Sequence, residues 1–92
     1  MTVRRVHLLI KGLVQGVSYR ASAQDEAVRL GVKGWVRNLP SGDVESIAEA
    51  PPETIERFIT WCRRGPEEAE VEGVTVTEAP AAEPFQRFEV RR

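Results

Sequence analysis

The 92-residue sequence has few of the residues on which several classes of small protein depend. It has one cysteine, Cys62, and one histidine, His7, which excludes an intrachain disulfide and argues against a zinc site. No apolar run approaches the roughly 18 residues of a membrane-spanning helix, and the N-terminal MTVRRVHLLIKG lacks the cleavage site of a signal peptide. We therefore expect a single cytoplasmic domain over residues 1–92, without metal or cofactor.

Charge is nearly balanced over the whole chain but is divided unevenly along it. The formal net charge is −1, yet residues 1–42 hold seven lysines and arginines against two acidic residues, whereas residues 43–92 hold six against twelve. A basic half favours an anionic ligand, with a polarised surface that binds nothing as the alternative. Arginine outnumbers lysine eleven to two, a bias that is typical of thermostable proteins and equally of GC-rich genomes.

Strands are predicted where apolar and polar residues alternate. The segment LPSG supplies proline and glycine for a hairpin turn between the second and third strands. The alternation predicts a first strand over about residues 4–11, a second from Val32 to Asn38, a fourth with a bulge at Gly73, and a short fifth edge strand that includes Phe88. A third strand is predicted from near Asp43 mainly because of the turn before it, since its own alternation is poor.

Two helices are predicted from apolar residues that recur at helical spacing. The first stripe consists of Tyr19, Ala23, Ala27 and Leu30, and the second of Ile55, Phe58, Ile59 and Cys62. The element order is then β-α-β-β-α-β with a small terminal strand. Because two helices with one apolar stripe each can cover one face of a sheet, we expect an α+β fold, a two-layer ferredoxin-like (split βαβ) sandwich with an antiparallel sheet.

A glycine-containing loop joins the first strand to the first helix. From Gly12 to Arg20 the chain reads GLVQGVSYR, with two glycines, no acidic residue and one arginine. Glycines allow positive φ, successive backbone N–H groups can converge on an oxyanion, and a helix N-terminus adds partial positive charge. The spacing is not that of a Walker A loop. The composition suits a phosphate site, and a plain strand-to-helix connection is the alternative.

The segments GLVQGVSYR and GWVRNLPSGDVE together resemble the two signature stretches of acylphosphatases. The resemblance covers nearly the whole chain, including RRGPEEAEV after the second helix and the closing FEVR. It implies the ferredoxin-like sandwich and an enzyme, an acylphosphate phosphohydrolase, that cleaves the carboxyl-phosphate bond of acyl phosphates without metal or cofactor. One position departs from the pattern, since Ala50 stands where a glycine usually closes the second signature, which puts local loop geometry in doubt.

The resemblance also implies which residues act in the reaction. Arg20 is expected to bind the phosphate and Asn38 to orient the attacking water. The leaving group is a carboxylate, the conjugate base of an acid with a pKa of about 4, so no general acid is needed. The expected partners are a small acyl phosphate and inorganic phosphate, as product and inhibitor, with a monomeric protein and no nucleic acid or membrane. The phosphate-binding loop is expected to consist of Gln15, Gly16, Val17, Ser18, Tyr19 and Arg20.

Two other functions stay open at this point. One is a module of the same fold that binds an acyl or carbamoyl phosphate without turnover; loss of Arg20 or Asn38 would indicate it, and both are present. The other is an RNA-binding sandwich, which would show adjacent aromatic and basic residues on its central strands. The third strand instead carries Glu45 and Glu49, so RNA binding is the weaker alternative.

Overall fold

The computed structural model describes residues 2–92, and Met1, where the predicted domain begins, lies outside them. The predicted order of elements is confirmed, and β1 extends two residues beyond its predicted end at residue 11. Within residues 2–92, no helix combines the length and the apolar character needed to cross a membrane. The elements are β1 Arg4–Leu13, α1 Tyr19–Leu30, β2 Lys33–Asn38, β3 Val44–Ala50, α2 Pro52–Arg64, β4 Glu70–Glu78 and β5 Phe88–Arg91.

The strands form one five-stranded sheet in the order β4-β1-β3-β2-β5. The neighbours among β1 to β4 are antiparallel, as predicted. The prediction of an antiparallel sheet is wrong for the last strand, because β5 pairs with β2 in parallel, from Gly34 opposite Phe88 to Arg37 opposite Arg91. The chain leaves β4 at the end of the sheet where β2 begins. A strand added beside β2 after one crossing therefore runs in the same direction as β2.

Both helices pack on one face of the sheet, where the hydrophobic core lies. Alternate residues of β1 face them, so that Val6, Leu8 and Ile10 are fully buried. Each fully buried side chain of this kind stabilises the fold by about 1.5–3 kcal/mol. The helix residues buried in this core are Tyr19, Ala23 and Ala27 of α1, and Ile55, Phe58, Ile59 and Cys62 of α2.

The opposite face of the sheet carries ion pairs instead of a second layer. Arg5 bonds to Glu49 at 2.6 Å, and Glu45 lies 2.7 Å from Nε2 of His7 and 2.6 Å from Arg37. His7 and Arg37 together hold the pKa of the Glu45 carboxyl below its usual range, His7 contributing most. The residues of this face are therefore engaged with one another.

The ladder between β1 and β4 slips by one residue where the chain approaches the loop that follows β1. Lys11 lies opposite Gly73, whereas Gly12 lies opposite Val71. The bulge predicted at Gly73 is thereby confirmed. The extra residue, Glu72, belongs to β4, so the bulge bends β4 and increases its twist beside the end of β1.

Ala50, the residue that departs from the signature, lies in a regular strand position. It ends β3, is buried, and lies opposite Arg4 in the antiparallel ladder with β1. Its φ is negative, as is usual for an alanine. The ladder therefore accommodates this alanine without the conformation that would require glycine.

Gly34 occupies a position in β2 where only glycine fits. Its φ is +141°, and a Cβ on this residue would lie 1.9 Å from the carbonyl oxygen of Ile47 in β3. We expect Gly34→Ala to lower the free energy of unfolding by about 3 kcal/mol, because the strands must separate or the backbone must change conformation. Urea denaturation of the two proteins measures the difference.

The matched control for this substitution is Gly73→Ala in the bulge of β4. A Cβ on Gly73 has no heavy atom within 4 Å, and this glycine does not have a positive φ. We expect its free energy of unfolding to stay within about 0.5 kcal/mol of the original value. Equal losses for Gly34→Ala and Gly73→Ala would contradict the steric explanation.

Candidate active site

In the loop between β1 and α1, the sign of φ alternates from one residue to the next. Gly16 has a φ of 76°, and Ser18, the N-cap of α1, has a φ of 62° and a ψ of 24°. Among residues 2–92, Ser18 is the one non-glycine residue with a positive φ. Val17 between them has an ordinary negative φ. Such alternation turns neighbouring N–H groups toward a common point, as in the backbone nests that bind anions.

The N–H groups of this loop are free to serve an anion. Within residues 2–92, the backbone N–H groups from Gly16 to Arg20 donate to no backbone oxygen of the chain. The first bond of the helix is donated by Ser22 to the carbonyl oxygen of Ser18, at 3.0 Å. The loop amides and the first turn of α1 therefore offer unused donors at the positive end of the helix dipole.

Arg20 is the second residue of α1 and is partly buried beside this loop. Its Nη1 donates a hydrogen bond of 3.0 Å to the backbone carbonyl oxygen of Arg91 in β5. That partner is neutral, so the charge of the guanidinium is not cancelled by it. The remaining N–H groups of the planar fork can bind two oxygens of one anion.

Asn38 is the last residue of β2 and lies opposite Val44 in the ladder with β3. Its Oδ1 is buried and has no hydrogen-bond partner within residues 2–92. A buried acceptor without a partner costs about 1–3 kcal/mol, and such exceptions occur at sites of function or of bound water. Oδ1 can therefore accept a hydrogen bond from a water that enters beside it.

Arg20 and Asn38 line one cavity of about 220 Å³. Two larger depressions, of about 490 and 600 Å³, lie on the helical layer, and there Glu26 and Arg29 pair with each other. Among residues 2–92, the smaller cavity instead combines a cation without a carboxylate partner, a free acceptor and free amides. We therefore assign the site by its chemistry rather than its size. Its other lining residues are Val14, Gly16, Ser18, Tyr19, Ala21 and Val90.

Two residues of the predicted loop direct their side chains away from the cavity. Gln15 donates from Nε2 to the carbonyl oxygens of Leu39 and Asp43, at 2.7 and 2.8 Å. Val17 packs against the hydrophobic core. Neither is among the residues that line the cavity. Each is therefore able to serve an anion through its backbone alone.

Tyr19 lines the cavity, but its hydroxyl is used elsewhere. The Tyr19 hydroxyl donates a hydrogen bond of 2.7 Å to the carbonyl oxygen of Cys62 in α2. Burial raises the pKa of this phenol well above its usual range. Its ring packs against that of Trp61, with the centroids 5.5 Å apart. Tyr19 therefore joins the start of α1 to α2 and does not act as an acid or base in the cavity.

The single cysteine and the single histidine of the sequence do not line the cavity. Cys62 is buried under α2, and burial raises the pKa of its thiol to about 12, which leaves it un-ionised at neutral pH. His7 lies on the open face of the sheet against Glu45. The cavity therefore offers positioning and charge rather than a cysteine or histidine nucleophile.

The contribution of β5 to the cavity was not predicted from the sequence. Val90 lines the cavity, and the carbonyl of the following residue, Arg91, binds Arg20. The four-residue strand shows no distinct motif, and its position depends on the parallel pairing with β2. The resemblance of FEVR was the one sequence feature that pointed to this segment.

The fold and the cavity together define a class of protein: a ferredoxin-like α+β sandwich with a cavity suited to an anion between its first loop and the end of its second strand. The chain belongs to the acylphosphatase family, whose family model, "Acylphosphatase", matches residues 6–90. It is 50% identical over 90 residues to the acylphosphatase of Methylococcus capsulatus (strain ATCC 33009 / NCIMB 11132 / Bath), with 98% of each chain covered.

Solved structures of acylphosphatases superpose closely on this chain. That from Coxiella burnetii matches with a TM-score of 0.91 and 36% identity, over 97% of this chain and 93% of that one. That from Bacillus subtilis matches with a TM-score of 0.93 and 31% identity, over 99% and 100%. The predicted family and fold class are therefore confirmed.

These comparisons establish the activity at the level of the family. Identity of about 50% over nearly the full chain to acylphosphatases supports an enzyme that hydrolyses acyl phosphates. Its substrate is a small acyl phosphate, and inorganic phosphate is a product. The non-catalytic binding module and the RNA-binding sandwich are not favoured.

Proposed function

We propose that acyl phosphates are hydrolysed in the 220 Å³ cavity by Arg20, Asn38 and the amides of the loop from Gln15 to Arg20. One observation carries this assignment: the loop and the first turn of α1 line the same cavity as the end of β2, which is separate from them in sequence. A free cation, free N–H donors and a free acceptor thus lie around one space.

The phosphoryl group is held by the loop amides and by Arg20. Donors that are already oriented toward developing charge stabilise a transition state without reorganisation. The Arg91 carbonyl occupies Nη1 of Arg20 and so orients the guanidinium, and the other N–H groups remain for phosphoryl oxygens. In this arrangement the phosphate is bound by the N–H dipoles of the loop and by the positive charge of Arg20.

Asn38 holds the attacking water. Its amide is neutral at every working pH, and its buried Oδ1 accepts a hydrogen bond from the water. The oxygen of the water forms the new bond to phosphorus, the bond from phosphorus to the carboxyl oxygen breaks, and the water proton ends on phosphate or solvent. Because the departing carboxylate is weakly basic, positioning and charge stabilisation suffice. The proposal needs no metal or cofactor.

We further propose that the protein is cytoplasmic and monomeric, with a single domain over residues 1–92 and no nucleic acid or membrane partner. The cytoplasmic location is supported by the single cysteine, which is buried and needs no oxidising compartment.

The proposed reaction is tested by turnover without available metal. We expect the purified protein to release phosphate from benzoyl or acetyl phosphate in the presence of excess EDTA. An alkyl phosphate monoester such as glycerol phosphate is the matched control substrate, and we expect no turnover of it, because its alkoxide leaving group needs an acid. An assay of phosphate release from each substrate tests both expectations. An EDTA-treated protein with no turnover above background would contradict the proposal.

Inorganic phosphate is expected to inhibit this reaction competitively. The product has the same oxygens as the phosphoryl group of the substrate and occupies the same amides and guanidinium. Initial rates measured at several substrate concentrations with phosphate up to tens of millimolar would show a raised KM and an unchanged kcat. Kinetics unaffected by phosphate would count against the loop as its binding site.

A further inference from the structure

The side chain of Gln15 joins the two segments that the cavity brings together. Gln15 is in the loop, directly before Gly16, and its Nε2 donates to the carbonyl oxygen of Leu39, directly after Asn38, at 2.7 Å. The second hydrogen of the same amide group reaches the carbonyl oxygen of Asp43, at 2.8 Å. Both donors of one side chain therefore bind the turn between β2 and β3.

The carbonyl oxygens of Leu39 and Asp43 lie at the two ends of the turn, where it joins β2 and β3. The N–H of Leu39 donates to the carbonyl oxygen of Asp43 at 2.9 Å, and the N–H of Gly42 donates to that of Leu39 at 3.1 Å. Each of the two oxygens thus accepts one bond from the turn itself and a second from Gln15. The Gln15 amide consequently holds both ends of the turn, next to the end of β2 and next to the start of β3.

No sheet hydrogen bonds link the loop directly to Asn38. β1 and β2 are not neighbours in the sheet, because β3 lies between them. Within the described residues, the other polar side-chain contact from the end of β1 to this turn is between Lys11 Nζ and Asp43 Oδ2, at 3.8 Å, and the lysine side chain is 56% exposed. An exposed pair at that distance contributes little to a fixed geometry.

Asn38 itself has little that could hold it in place. Its Oδ1 has no partner within residues 2–92, so the position of the side chain depends on the backbone on which it stands. That backbone continues directly into the turn that Gln15 binds. We propose that Gln15 is a positioning residue that sets the separation between the phosphate-binding loop and Asn38. This inference rests on the proposed roles of the loop and of Asn38.

The test removes the Gln15 amide and separates its effects on water attack and on phosphate binding. We expect Gln15→Ala to lower kcat for benzoyl phosphate by about tenfold, because small displacements of a positioned reactant are costly. The inhibition constant of inorganic phosphate is expected to change by less than about twofold, because the loop amides and Arg20 are retained. Gln15→Met, which keeps the length of the side chain and lacks both donors, is a second variant in case Gln15→Ala folds poorly.

The matched control is Gln24→Ala. Gln24 is on α1 and also donates from Nε2 to a backbone carbonyl oxygen, that of Phe88, at 3.1 Å. It lies outside the residues that line the cavity. We expect both alanine variants to show a similar fall in Tm of a few degrees, whereas kcat falls in Gln15→Ala alone. An equal fall of kcat in both variants would show a general structural effect and would overturn the inference.

A double-mutant cycle identifies the residue through which Gln15 acts. If Gln15 positions Asn38, then Gln15→Ala should lower kcat by less than about twofold when Asn38 is already alanine. Equal losses in both backgrounds, or a phosphate inhibition constant that rises as much as kcat falls, would overturn the inference. If the original protein shows no turnover, or Asn38→Ala turns over normally, the proposed function fails instead, and the two failures are thereby distinguished.

Discussion

Arg20→Ala is expected to lower kcat/KM for acyl phosphates by about 10²-fold or more, the usual loss when an oriented donor to developing charge is removed. Arg20 is the cation that lines the cavity with the loop, and its known partner in the chain is a neutral carbonyl. The substitution removes both the charge and the fork that binds phosphoryl oxygens. Steady-state kinetics with benzoyl phosphate measure the loss, and the inhibition constant of inorganic phosphate should rise with it.

Two further variants show whether the loss is specific to this guanidinium. Arg20→Lys is expected to recover little activity, because an ammonium group cannot bind two oxygens and the Arg91 carbonyl in the same geometry. Arg29→Ala is the matched control on the same helix, where Arg29 pairs with Glu26 away from the cavity, and we expect normal kinetics. A folded Arg20→Ala protein with kinetics near those of the original would remove Arg20 from the proposed site.

Asn38→Ala is expected to lower kcat by about 10²-fold with little change in phosphate affinity, because the water is no longer held in position. Removing an acceptor that has no partner in the described part of the chain, residues 2–92, should not destabilise the fold. We therefore expect the free energy of unfolding to stay the same or rise by up to about 1 kcal/mol. Kinetics and urea denaturation of the same preparation measure both quantities.

Measuring kcat and the free energy of unfolding together separates a role of Asn38 in catalysis from a role in forming the turn. If Asn38 mainly formed the turn before β3, its removal would lower stability and affect kcat only through loss of folded protein. A clear loss of stability with a normal kcat per folded molecule would contradict the assignment of Asn38 to the attacking water.

The elements of the fold were largely predictable, because local patterns specify them. The stripe of α2 at Ile55, Phe58, Ile59 and Cys62 predicted a helix, and all four residues are buried. The alternation in β1 predicted the strand and the face that is buried. The direction of β5 was predicted wrongly, because four residues do not encode whether they pair in parallel.

Only the site residues that lie in the two signature stretches were predictable from the sequence. Arg20 and Asn38 were predicted from two signature stretches, and they do line one cavity. The hydrogen bond from Arg20 to Arg91 and the bonds from Gln15 to the turn were not predictable, because their partners are backbone carbonyls. A carbonyl oxygen is present at every residue, so the sequence cannot indicate which one is used.

The sequence by itself determined the residue types of this protein: its family, its strands and helices, and a basic first half that contains the loop, Arg20 and Asn38. Those features depend on side-chain chemistry and short-range periodicity, which are written directly in the order of residues. The tertiary structure decided the arrangement: the position of β3 between β1 and β2, the parallel pairing of β5, and the cavity that results. These depend on where the chain crosses the sheet and on backbone groups that every residue shares.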